Sequence, residues 1–173
     1  MSTSPVDAGR RAFVLALAGA GLAGCAGLGS RTPVTVRVVP VETAPVLALL
    51  NGYRARNGLG ALVRNAVLDE AAERQALAMG RADRMSHSLS FGDALPRRVA
   101  AVGYEWETIA ENLGMGYRTL DAAFAGWIGS SGHRANLLKD NATEFGIAHV
   151  WREESRYHDY WCLILGAPRQ SRA

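Results

Sequence analysis

The chain predicts an α+β fold, and three observations carry that prediction. Upstream of residue 130, apolar residues recur at helical spacing through three long stretches. Apolar runs suited to strands cluster late, on either side of a charged segment. No regular strand–helix–strand alternation runs along the chain. That favours a small antiparallel sheet beside helices over a parallel doubly wound sheet.

Each element has its own warrant. The alternating Val34–Val39 reads as one short strand inside a Gly/Ser/Pro-containing tether that ends near Glu42. Thr43 is a good N-cap with Pro45 in the first turn, and Val46, Leu47, Leu49, Leu50 and Tyr53 follow at helical spacing until Gly58 and Gly60. A second helix starts at Asn65, with Asp69 and Glu70 near its positive end. Its buried face is Leu68, Ala71, Ala72, Ala76, Met79 and Ala82, small enough to let another element approach closely. Phe91 to Val102 reads as a shorter helix interrupted by Pro96 and closed by Gly103. Thr119 caps a further helix carrying Leu120, Ala123, Phe124, Trp127 and Ile128 on one face, and Gly132–Leu138 is a short helical turn. Strands are expected at Gly146–Trp151 and Tyr160–Leu165, joined by the charged loop Arg152–Asp159, with a third around Leu113–Tyr117.

Composition narrows the function classes. With 173 residues, 49% apolar and 20% charged, the chain reads as one globular domain. The net charge of +3 contains no run of five Lys/Arg, so no nucleic-acid partner is expected. Nineteen glycines and six prolines follow no period, which excludes a collagen-like chain. Two cysteines cannot build a disulfide scaffold.

The beginning of the chain reads as an address. Arg10-Arg11 precede an uncharged stretch from Ala12 to Gly24, too short for the roughly 20 residues of a spanning helix but suited to an export signal. Leu22-Ala23-Gly24-Cys25 resembles a bacterial lipobox, in which the cysteine thiol receives diacylglycerol. The alternative is a plain signal with an accidental cysteine. Arg10–Leu15 fits a twin-arginine signal and an ordinary n-region equally well. The expected organisation is a lipoprotein signal peptide at 1–24, a tether at 25–42, a folded domain at 43–168 and a tail at 169–173. The expected location is the extracytoplasmic face of a bacterial membrane, with Cys25 as the lipid anchor. A chain shortened by its leader still buries about two thirds of its unfolded surface. Cys162, in the apolar run Tyr160–Leu165, reads as a buried and inert thiol.

Four histidines occur: His87, His133, His149 and His158. Taken singly, each has a plain explanation: His87 as a helix-end cap, Glu111 as a solvated residue and His133 as an ordinary helix-start residue. His149 alternates with apolar neighbours and reads as packing or solvent-facing, and His158 belongs to a loop. There is no HExxH, GxSxG, Walker loop, GxGxxG or CxxC.

Five stretches together resemble the CAP superfamily, whose fold is shared by cysteine-rich secretory, venom antigen and plant pathogenesis-related proteins. In order they are Leu50-Asn51-x-x-Arg54-x-x-x-Gly58-Leu59 with Leu62, then Leu68 with Ala71-Ala72 and Ala76, then Met85-Ser86-His87-Ser88. Gly103-Tyr104 leading to Ala110-Glu111-Asn112-Leu113 is the fourth. The fifth is Trp127-x-x-Ser130-x-x-His133-Arg134-x-Asn136-Leu137-Leu138 leading to Glu144-Phe145-Gly146-Ile147.

The resemblance implies an α-β-α sandwich with a cleft lined by His87, His133 and Glu111. Ser130 stands where many eukaryotic members carry a second glutamate, as is common in the bacterial secreted branch. The departure removes one candidate ligand and lowers the cleft's negative charge, and the sequence does not decide whether Glu144 or Ser130 substitutes for it. Asn112, Trp127, Arg134 and Asn136 would orient the cleft walls. Two neutral imidazoles and a carboxylate suit a borderline-soft divalent metal, so His87, His133 and Glu111 are the expected ligands and zinc the default. Three functional readings follow: an extracytoplasmic binding domain for a metal, a small molecule, a lipid or an envelope component; a metal-dependent or serine-type hydrolase of peptide or envelope material; and a non-catalytic interaction module.

Overall fold

The structure is a computed structural model that describes residues 34–170. The leader, Cys25 and the first half of the tether lie outside these residues. Ten elements follow one another: β1 (Val36–Val39), α1 (Thr43–Arg56), β2 (Val63–Arg64), α2 (Ala66–Ala82), α3 (Leu95–Ala100), β3 (Trp106–Met115), α4 (Leu120–Gly129), α5 (Ser131–Leu137), β4 (Glu144–Arg152) and β5 (Asp159–Pro168). The strands form one five-stranded sheet in the order β1-β4-β5-β3, with β2 paired in parallel to the start of β4. All other pairings are antiparallel.

The sheet is buried on both faces, which makes the fold a three-layer α-β-α sandwich. Residues opposite one another in the antiparallel register share a face. Phe145, Ile147, Trp161, Leu163 and Leu165 pack with Val46 and Leu50 of α1, Phe124 and Trp127 of α4 and Leu137 of α5. Ala148, Val150, Tyr160, Cys162, Ile164 and Leu113 pack with Leu68, Ala71, Ala72, Ala76 and Met79 of α2 and Val99 of α3.

Helix α2 lies flat on the sheet for a reason visible in its sequence. Its alanines offer no bulk, and Gly146 of β4 leaves room for the helix backbone. A Cβ added at Gly146 would sit 2.1 Å from the Leu68 carbonyl carbon. Asn65 caps the helix, its side-chain oxygen accepting from the amides of Val67 (2.8 Å) and Leu68 (3.3 Å). Asp69 in the first turn reaches across to accept the Ile147 amide at 2.8 Å.

Several boundaries differ from the sequence expectation. Val36–Val39 is a sheet strand paired to β4, so packed structure begins upstream of Thr43. Glu42 occupies the N-cap position of α1. Thr43 is the first helical residue, and its hydroxyl accepts from Arg64 at 2.7 Å. The helix expected over 91–102 is confined to α3, because Pro96 fits only a first turn and what precedes it is loop. Ala82 is exposed rather than part of the buried face of α2. The third strand is β3, longer and further upstream than 113–117.

Candidate functional site

β3 is an edge strand, and its consecutive residues Glu111 and Asn112 are both buried. Successive side chains of a strand point to opposite faces. Glu111 turns toward the α2/α3 layer, and Asn112 toward α5. The candidate site straddles this edge, with the segment between α2 and α3 on one side and α5 on the other.

His87 comes from the first side. Its Nδ1 lies 2.7 Å from Glu111 Oε2. A carboxylate only accepts, so Nδ1 carries a proton, and in the neutral ring Nε2 keeps its lone pair. The imidazole is 62% exposed, whereas the Glu111 side chain is 2% exposed. The bond to Glu111 raises the basicity of His87 above the ordinary histidine value, against an opposing effect of partial burial. Glu111 Oε1 is bonded to Arg98 and accepts from the Cys162 thiol at 3.5 Å. The same guanidinium donates to the carbonyls of His87 (2.9 Å) and Asp93 (3.1 Å). Gln75 of α2 donates to the Ser86 carbonyl at 2.6 Å.

His133 comes from the other side, in the first turns of α5. Asn112 donates to its carbonyl at 2.9 Å. Asn136 donates to the Glu111 carbonyl (3.0 Å) and to Asn112 Oδ1 (2.9 Å), stitching α5 to the strand. Arg54, buried in α1, donates to the carbonyls of Leu137 and Lys139 and fixes the far end of α5. Trp127 Nε1 donates to the Leu113 carbonyl at 2.8 Å. His133 is half-buried, and its basicity is lowered by desolvation and by the charge of the nearby His87.

The expected residues therefore divide. His87 and Glu111 are in direct contact, and His133 is within electrostatic reach of His87. Both Glu111 oxygens accept hydrogen bonds, and the one to Oε2 orients His87. Among the described residues, no three His, Cys, Asp or Glu side chains converge as a metal-holding group. Ser130 links α4 to α5 and makes no side-chain cap bond. Glu144 is committed elsewhere, accepting from Tyr104 (2.8 Å) and Asn65 (3.0 Å). Asn112, Trp127 and Asn136 bond to backbone around the cleft, and Arg134 donates to the Ile128 carbonyl.

Cys162 is fully buried, and desolvation pushes its thiol well above the ordinary value. His149 is buried against Trp161, with Nε2 2.8 Å from Asp159. Sequence reasoning missed Arg98 and Gln75, because neither spacing nor composition separates Arg98 from its neighbour Arg97. Two hollows lie elsewhere: about 330 Å³ beside Tyr104, Trp106 and Arg169, and about 260 Å³ under β1 beside Arg64 and Glu73.

The comparisons with known proteins agree with this architecture. The profile of the cysteine-rich secretory protein family matches residues 47–165. Protein YkwD of Bacillus subtilis is 28% identical over 106 residues, which is 61% of this chain and 41% of that protein. The chain thus spans under half the length of that curated relative. An outer surface protein of Borrelia burgdorferi superposes with a TM-score of 0.70 at 17% identity, covering 78% of this chain and 100% of that one. An extracellular protein containing an SCP domain from Bacillus anthracis gives 0.62 at 23% identity, covering 73% of this chain and 39% of that one. The chain belongs to the cysteine-rich secretory protein (CAP) family.

Proposed function

We propose that this domain works outside the cytoplasm, held to a membrane by lipid on Cys25, and that the β3-edge cleft binds a divalent metal, zinc first, or a small or lipid ligand. The observation carrying the cleft reading is the His87–Glu111 bond, which orients an exposed imidazole with Nε2 free to donate its lone pair. A carboxylate behind a histidine is the usual support of a metal-bound imidazole. The donor set fits an open site: His87 and His133 would hold the ion, and Glu111 would act through His87. A bound zinc would supply Lewis acidity at the positions left to water or ligand. The extracellular relative from B. anthracis supports the address. Among the described residues, no helix is long and apolar enough to cross a membrane.

The test is calorimetric titration of zinc into the full chain carrying Cys25→Ser, beside the same chain with His87→Ala and His133→Ala. Saturable one-to-one binding is expected in the first alone. Equal, negligible heat in both folded proteins would overturn the metal reading. The anchor is tested by radioactive palmitate labelling of cells, expected in the parent and lost in Cys25→Ser. A second reading, hydrolysis, is favoured by the same pair, since Glu111 orients His87 as it would a general base. The orienting acid serves His87 rather than His133, and turnover lost in a folded His87→Ala variant would establish it.

A further inference from the structure

We infer that Arg98 is the positioning residue of this site, locking both the carboxylate and the segment that together aim His87. The inference rests on the reading that His87 presents Nε2 to a ligand. Arg98 is 9% exposed and sits on a helix of only six residues. Its guanidinium bonds the Glu111 carboxylate through Nη2 and, through Nη1, the carbonyls of His87 and Asp93. One planar fork therefore ties β3 to two points of the connection between α2 and α3. Gln75 adds the third pin, at Ser86.

Charge gives this geometry a purpose. A carboxylate as buried as Glu111 is expensive unless it is paired and hydrogen-bonded. Among the described residues, Arg98 is the only Arg or Lys in ion-pair contact with it. With that charge matched, Glu111 is kept as an acceptor at a fixed place, and His87 donates Nδ1–H to it and turns Nε2 outward. A lysine could supply the charge but not the fork, since its ammonium is a point donor on a flexible stem.

The experiment compares the full Cys25→Ser chain with its Arg98→Met and Arg98→Lys variants. Zinc affinity is read by calorimetry, and the His87 ring by nitrogen-15 spectra recorded without metal. Arg98→Met is expected to weaken zinc binding about 10- to 100-fold, the usual consequence of losing an outer partner of a metal-bound histidine. Its His87 ring signals should move from the Nδ1–H tautomer toward a mixture. Arg98→Lys should restore part of both. A folded Arg98→Met protein with parental affinity and parental ring signals overturns the inference. Should the parent itself bind no zinc, the metal reading fails, and the ring spectra alone decide Arg98: a changed tautomer sustains its role and an unchanged one overturns it. Should Arg98→Met not fold, Arg98→Lys decides on the same readouts, with wholly parental behaviour overturning the inference.

Discussion

The molecule holds two histidine–carboxylate pairs of nearly equal length, His87–Glu111 at 2.7 Å and His149–Asp159 at 2.8 Å. They do different work. In the first, the carboxylate is buried and the imidazole exposed, and the bond uses Nδ1 so that Nε2 faces outward. In the second, both side chains are 9% exposed and the bond uses Nε2. The His149 ring also lies flat on Trp161, with centroids 3.9 Å apart and planes within 3°. The first pair presents an imidazole; the second fills a core. Contact distance alone does not distinguish a site from a staple. Exposure of the ring, and which nitrogen is spent, does.

His149→Ala should break the comparison most visibly. It leaves the Asp159 carboxylate buried without its donor and strips the stacked ring from Trp161, a loss of about 3 kcal/mol in urea unfolding. Zinc binding should be unchanged. A loss under about 1 kcal/mol would mean that Asp159 finds water or another donor.

Acidification is expected to have a smaller effect, with opposite signs at the two pairs. The basicity of His149 is lowered, with burial outweighing the attraction of Asp159. Its stabilisation is present above the ordinary histidine value of 6.5 and is lost as pH falls through the lowered folded value. His133 acts in the same direction. His87 is raised, so its stabilisation is complete below 6.5 and lost as pH rises through the raised folded value. Urea midpoints measured in metal-free protein between about pH 7.5 and 5.5 should therefore fall less in His149→Ala than in the parent and more in His87→Ala. Parallel curves for all three proteins would remove the contrast.

The smallest expected effect is that of His87→Ala at neutral pH. Its ring is largely exposed and Arg98 still pairs Glu111, so the lost bond to that buried carboxylate should cost only about 1 kcal/mol while zinc binding disappears. A large loss of stability would make His87 a second staple.

Helices α1, α2 and α4 were legible because their buried residues recur at helical spacing, and Asn65 and Thr119 announce two of them with side-chain caps. β3 was half hidden. Its sequence Trp-Glu-Thr-Ile-Ala-Glu-Asn-Leu-Gly-Met interrupts apolar alternation with Thr108, Glu111 and Asn112, all buried. These polar residues are tolerated only because Arg98, His87 and Asn136 meet the site pair, and none of those partners is close in sequence. The residues that make the site are thus the ones that disguise its strand. Family resemblance pointed to His87, Glu111 and His133, but it did not reveal that Glu111 spends both oxygens within the protein. That depends on a surface-looking arginine folded inward.

The covering of β3 has a further consequence. A sheet's outermost strand is where chains join edge to edge when they are crowded. Here the carbonyls of Glu111 and Leu113 are already occupied by Asn136 and Trp127, and the opposite margin is divided between the four-residue β1, carrying Arg37, and the two-residue β2. Both margins of the sheet are blunted, so dense packing of these domains side by side does not template growth from one sheet into the next.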